Sequence, residues 1–205
     1  FGAYLYDVTS KTDVLYPPVA ISSAVSSTVT ACYLNAITDN VGIDVKSELL
    51  KTSLASVSRG SLGLTVVPTF GAASQPNQTI IDICESTTAN RLRLHVASTA
   101  LTLTRVNAAG SSTSMSLALT TASTPTSTQV TWRRDEAIAI RVRWDDDGKA
   151  SLSAGASNVA ATLSASPYTD TAVDTLRIGA SASADGHFDG IITDVEFIQV
   201  GTPTT

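Results

Sequence analysis

The sequence predicts an all-β protein, an antiparallel β-sandwich preceded by an extended N-terminal arm. Apolar residues recur at every second position in about a dozen short segments, the period of a strand with one buried face. Between them stand Asp147-Gly148, Asp185-Gly186 and Asp189-Gly190, pairs that supply the positive φ required by tight turns. Helical periodicity is nearly missing, so strands do not alternate with helices and a parallel α/β sheet is excluded.

Residues 1–20 form the arm. Phe1, Tyr4, Tyr6 and Tyr16 stand here, in a chain with only 5 Tyr and 4 Phe, followed by Pro17-Pro18. A Pro-Pro pair stiffens an extended chain and blocks sheet pairing. Such an arm either folds back or docks on a neighbouring molecule; docking is favoured, because aromatic anchors are typical of interfaces. A single sandwich domain is expected over 21–200, with a tail at 201–205. Within it, Asp44 to Ser56 has Leu49, Leu50 and Leu54 near helical spacing and reads as a short helix or irregular crossing. Leu62 to Val67, Thr79 to Cys84, Leu101 to Val106, Met115 to Leu119, Val173 to Ile178 and Ile191 to Val200 read as strands. The clearest cases are Arg91 to Val96, with Leu92, Leu94 and Val96 inward and Arg91, Arg93 and His95 outward, and Ala137 to Trp144, with Ile138, Ile140, Val142 and Trp144 inward. Ala108 to Ser111 and Ala122 to Ser127 read as polar loops.

Composition narrows the function. Only 15% of the 205 residues are charged and the net charge is −5, while Ser and Thr together number 55. A general nucleic-acid binder needs a basic surface, and a membrane-spanning helix needs roughly 18 apolar residues in a row. Neither is present, so no nucleic-acid or membrane partner is expected. The chain opens at Phe1 rather than Met, which leaves room for an upstream piece. Cys32 and Cys84 are too few and too far apart for a disulfide framework or metal knuckle. They read as two small buried hydrophobes or as a single bridge worth about 3–4 kcal/mol.

Residues 60–69 (GSLGLTVVPT), Ile138 to Asp145 (IAIRVRWD), Leu176-Arg177-Ile178-Gly179 and His187 to Val200 (HFDGIITDVEFIQV) resemble, in order, strands of the concanavalin A-like and laminin-G-like jelly rolls. The resemblance implies two antiparallel sheets of six or seven strands, with Phe188, Ile192, Val195 and Phe197 in the core and a backbone kink at Gly190. The chain departs from that pattern at Ser151 to Ser157, which is small and featureless where the family often carries an aromatic residue and a turn. Domains of this shape occur in secreted lectins, sugar-processing enzymes and bacteriophage virion proteins. The Ser/Thr/Ala-rich texture is most similar to that of phage structural proteins.

Few residues offer chemistry. The four Glu are Glu48, Glu85, Glu136 and Glu196, and none sits in the spaced acid cluster of sandwich glycanases. Asp194 and Glu196 come closest, and they read as outer-face charges pairing with an Arg. Two histidines, His95 and His187, and the lack of a Gly-x-Ser-x-Gly elbow leave no triad, so no catalysis is expected. No cofactor is expected either; calcium is the ion that Asp145, Asp147, Asp185 and Asp189 would take in their acidic turns. Trp132 and Tyr168 are the candidate stacking residues for a glycan. Arg91, Arg93, Arg141 and Arg143, with the arm aromatics, are candidate interface residues. Asn77-Gln78-Thr79 matches a glycosylation sequon. The leading expectation is a non-enzymatic virion protein, a decoration, tail or fibre component, adhering to other virion proteins or to itself. The alternative is a carbohydrate-binding lectin-like module of a secreted or surface protein.

Overall fold

A computed structural model describes residues 59–73, 75–85, 89–145, 147–162, 175–183 and 186–198, together with the backbone of six short strands nearer the N-terminus; the side chains of 161–162, 175–176 and 197–198 lie outside the described part. The strands in chain order are β1 (Gly2–Ala3), β2 (Tyr6–Asp7), β3 (Val14–Leu15), β4 (Val19–Ala20), β5 (Thr28–Leu34), β6 (Ile43–Asp44), β7 (Gly60–Pro68), β8 (Gln75–Cys84), β9 (Arg91–Ser98), β10 (Ala100–Val106), β11 (Ser112–Thr120), β12 (Gln129–Thr131), β13 (Ile138–Trp144), β14 (Lys149–Ala154), β15 (Ser157–Thr162), β16 (Thr175–Ile178) and β17 (Gly190–Ile198). They form an eight-stranded sheet in the order β1-β4-β5-β17-β7-β13-β14-β15 and a seven-stranded sheet in the order β12-β11-β10-β9-β8-β16-β6, with β2 and β3 paired separately. The protein is thus an all-β, two-sheet sandwich. Pairing is antiparallel except for β12, which runs parallel to β11, and an isolated parallel bridge between Thr79 and His187.

The alternation read from the sequence is what packs the sandwich. Along β13 the burial strictly alternates, with Ile138, Ile140, Val142 and Trp144 inward. β9 and β10 alternate likewise. The inward residues of both sheets join one core, which also takes in Trp132, Phe70 and Phe188. Phe70 lies between the other two rings, 5.7 Å from Trp132 and 5.8 Å from Phe188. Gly190 faces the neighbouring strand so closely that a Cβ there would lie 2.9 Å from Pro68 Cα and press on the Val67 carbonyl. The kink is therefore a close approach of two backbones, which only glycine permits.

Two elements depart from simple alternation. Gln78 through Cys84 of β8 are buried on both faces, because residues 179–183 and 186–189 pack against this strand. Gly179 N donates to Ile80 O at 2.7 Å, Ala182 N to Asp82 Oδ2 at 2.7 Å and Asp189 N to Gln78 Oε1 at 2.9 Å. In β17 the register on β7 shifts between Thr193 and Glu196, and Asp194 takes a φ of 53°. This bulge is why Ile192 and Val195, three residues apart, are both fully buried. It also places Thr193 and Asp194 side by side on the outer face.

At one side of the sandwich the edge strands β12 and β15 meet. The Ser157 hydroxyl donates to the Gln129 carbonyl and lies 3.5 Å from that of Thr126. Of the sequence expectations, the arm side chains of Phe1, Tyr4, Tyr6 and Tyr16, the segment 45–56 and the tail at 201–205 lie outside the described residues. Within the arm, the backbone of β1 pairs with β4 and that of β2 with β3.

Candidate functional site

The outer faces of the two sheets are built from the same kind of strand and end differently. On the seven-stranded sheet, Arg93 stands in register with Asp82 on β8. Asp82 is fully buried and accepts from Arg91 Nε at 2.8 Å as well as from its second guanidinium nitrogen. Arg93 donates to Thr79 Oγ1 from Nε at 3.0 Å. His95 Nδ1 meets Asn77 Oδ1 at 2.9 Å, and its Nε2 meets Thr104 Oγ1 at 3.3 Å. Burial, then Arg93 and Arg91, lower the His95 pKa from 6.5 to about 4, so the ring is neutral at pH 7. Arg91 and Arg93, expected as interface residues, are therefore knitted into their own sheet. The sequon's Thr79 is buried in the same network.

On the eight-stranded sheet, Arg141 and Arg143 are exposed. β13 and β9 belong to different sheets, so the two arginine pairs project from different sheets rather than confronting each other as neighbours. Arg141 is in register with Gly63 of β7, and Gly63 on its other side with Glu196 of β17. The rung therefore reads Glu196, Gly63, Arg141, and a glycine occupies the middle strand. The pairing of Asp194 and Glu196 with an arginine expected from sequence is absent among the described residues; the nearest outward arginine along the rung, Arg141, is separated from them by β7. A groove of about 210 Å³ results, with Ser61, Gly63 and Thr65 along its floor, Arg141 on one wall and Asp194 and Glu196 on the other. Thr193 Oγ1 donates to Asp194 Oδ2 at 3.0 Å, orienting that carboxylate. A Cβ on Gly63 would meet nothing within 4 Å, so the floor is open space rather than a packing constraint.

Trp132 is a correction. It is fully buried in the core against Phe70 and offers no face to a sugar. It follows the three-residue β12, whose alternation is too short to reveal its direction. Tyr168 lies outside the described residues. The acidic residues assigned to a metal do not assemble among the described residues, where no three His, Cys, Asp or Glu gather in a way that could hold an ion. Asp145 and Asp147 share the β13–β14 turn, where Asp147 accepts from Lys149 Nζ and from Lys149 N at 3.2 Å. Burial, followed by the neighbouring Asp147, raises the Asp145 pKa. Asp189 contributes its backbone, its carbonyl accepting from Thr69 N at 3.0 Å. Asp185 is outside the described residues.

Sequence reasoning missed two residues. Arg105 is fully buried, on the core side of β10 with Leu101 and Leu103, and its Nη1 donates to the Asp145 carbonyl of the opposite sheet at 2.9 Å. The parity of that strand already placed it inward. Gly63 was readable too, since glycine within an alternating strand marks a bulge or a close approach of backbone or ligand.

No family model matches the chain, and no curated protein matches it in sequence. Solved structures do match in fold. The CBM40 domain of Ruminococcus gnavus IT-sialidase, bound to α2,3-sialyllactose, superposes with a TM-score of 0.61 at 13% identity, covering 86% of this chain and 93% of that one. NanB sialidase from Streptococcus pneumoniae gives 0.60 at 14% identity over 85% of this chain, which spans 26% of that protein. The botulinum neurotoxin serotype G binding domain gives 0.56 at 12% identity, covering 88% of this chain and 45% of that one. The protein is a β-sandwich of concanavalin A-like fold, similar in fold to the sialidase CBM40 domain and to the toxin binding domain. At these identities the likeness defines the fold.

Proposed function

We propose that the protein is a non-catalytic, lectin-like glycan-binding module whose site is the groove over Gly63. The groove itself carries this reading: an open floor between walls of opposite charge, on a sheet face whose hydroxyls and charged groups suit a polyhydroxylated ligand. Fold similarity to a domain solved with sialyllactose supports it. The virion reading draws no comparable support, resting on compositional texture alone.

The wall chemistry supports a reading of binding rather than hydrolysis. A glycosidase flanks the scissile bond with two carboxyl groups about 5–9 Å apart. Here Asp194 and Glu196 share one wall and an arginine faces them. A glycan array followed by calorimetry tests the reading. Wild-type protein binds a subset of glycans, and Gly63→Leu, which fills the groove without touching the core, removes that binding at an unchanged melting temperature. Binding that survives Gly63→Leu places the site elsewhere, and release of reducing ends from any bound glycan overturns the non-catalytic assignment.

A further inference from the structure

We infer that the groove selects a hexuronate ring, a sugar with a carboxylate on one flank and vicinal hydroxyls on the other, by holding the carboxylate on Arg141 and the hydroxyls on Glu196. The inference rests on the glycan-binding reading and assigns its ligand class.

The register sets the dimensions. Glu196, Gly63 and Arg141 occupy one rung of three adjacent strands, so the walls rise two interstrand spacings apart, roughly 10 Å. One pyranose ring spans that gap and rests on the glycine. The two walls ask for different things. The exposed Arg141 guanidinium makes no ion pair among the described residues, and its planar fork of donors matches a carboxylate bidentately. Glu196, and Asp194 added to the same wall by the bulge, are acceptors only when ionised, so they take hydroxyl hydrogens and repel a second carboxylate. A neutral sugar satisfies one wall. A ring sulfated on both flanks satisfies the other and is repelled by the first. In a 1,4-linked hexuronate, C1 and C4 lie along the chain axis, the C5 carboxylate on one side and the C2 and C3 hydroxyls on the other. One such ring over Gly63 addresses each flank to its own wall.

The test is calorimetry on the full chain with trigalacturonate, its methyl ester, and sialyllactose. Methyl esterification removes the charge and leaves every hydroxyl in place. Trigalacturonate binds, and the methyl ester binds roughly tenfold or more weakly, the scale of one lost charge-assisted hydrogen bond. In Arg141→Gln the two ligands become equivalent, while Arg141→Lys recovers only part of the difference because it keeps the charge and loses the fork. Arg141 is exposed, so the melting temperature of each variant stays at the wild-type value. Equal wild-type affinity for acid and ester, with Gly63→Leu still abolishing both, overturns the carboxylate assignment and leaves the glycan reading standing. Binding of sialyllactose without trigalacturonate overturns the hexuronate class. If no glycan binds and sedimentation finds a dimer that Arg141→Gln dissolves, the groove is a self-association face, and both readings fall.

Discussion

Arg91-Leu92-Arg93 on β9 and Arg141-Val142-Arg143 on β13 are nearly the same phrase: two arginines flanking a buried aliphatic residue. On β9 the outward neighbour of Arg93 is Asp82; on β13 the outward neighbour of Arg141 is Gly63. The first pair is internal structure and the second faces solvent. Nothing local to either strand distinguishes them. What an outward charge does in a sheet is set by what the adjacent strand offers within reach, a carboxylate and a hydroxyl on β8 for Arg91 and Arg93 and a glycine on β7 for Arg141.

The largest test of this contrast is to remove Asp82. Asp82→Ala leaves Arg91 without its carboxylate and the Ala182 amide without an acceptor in a buried setting, and should cost about 3–5 kcal/mol in urea unfolding. Arg141→Ala is the mirror experiment and should stay within about 0.5 kcal/mol of wild type. If both cost the same, the two faces are not energetically different. Trp132→Ala should cost a similar 3–5 kcal/mol or so as a core truncation.

A second test uses pH. His95 is held at about 4 in the folded protein against 6.5 ordinarily, so between these values the unfolded chain binds a proton that the native state refuses. Stability is full above about pH 6.5, falls as pH drops through the window, and stops changing on this account below about 4. The loss is about 3 kcal/mol, and in His95→Gln the slope across pH 4–6.5 should flatten. A slope unchanged by that substitution removes His95 from the account.

The smallest effect is also the most direct conversion of one face into the other. Gly63→Asp places a carboxylate in register beside Arg141, copying the Asp82–Arg93 rung. The new surface pair with Arg141 is offset by Glu196 on the other side of the same rung, so stability should stay within about 0.5 kcal/mol of wild type, while the new carboxylate competes for the guanidinium that faces the groove. Unchanged glycan affinity in this variant would mean that Arg141 takes no part in recognition.

The strands themselves were legible because alternation is a local property. Ile138 to Trp144 and Leu92 to Val96 could be assigned, face and all, from their own residues. Three features were not. Trp132 follows a strand too short to show which way it points. The double burial of β8 comes from residues about a hundred positions downstream packing against it. The groove depends on Gly63 standing between two strands that both lie far downstream of it in the chain, and on an extra residue, Asp194, that alternation does not allow for. Gly190 and the inward placement of both Ile192 and Val195 came from resemblance, and the bulge supplies the reason.

The Ser157 clasp has a bearing on colloidal behaviour. A chain with 15% charged residues and a net charge of −5 has little electrostatic repulsion to keep copies apart. Open strand edges are the usual route from such a protein to fibrils. By stitching β15 to the β12 region across the gap between the sheets, one serine hydroxyl closes that flank into a seam, and the strand exposed there on the seven-stranded sheet is only three residues long. Protection of this edge rests on geometry instead of charge.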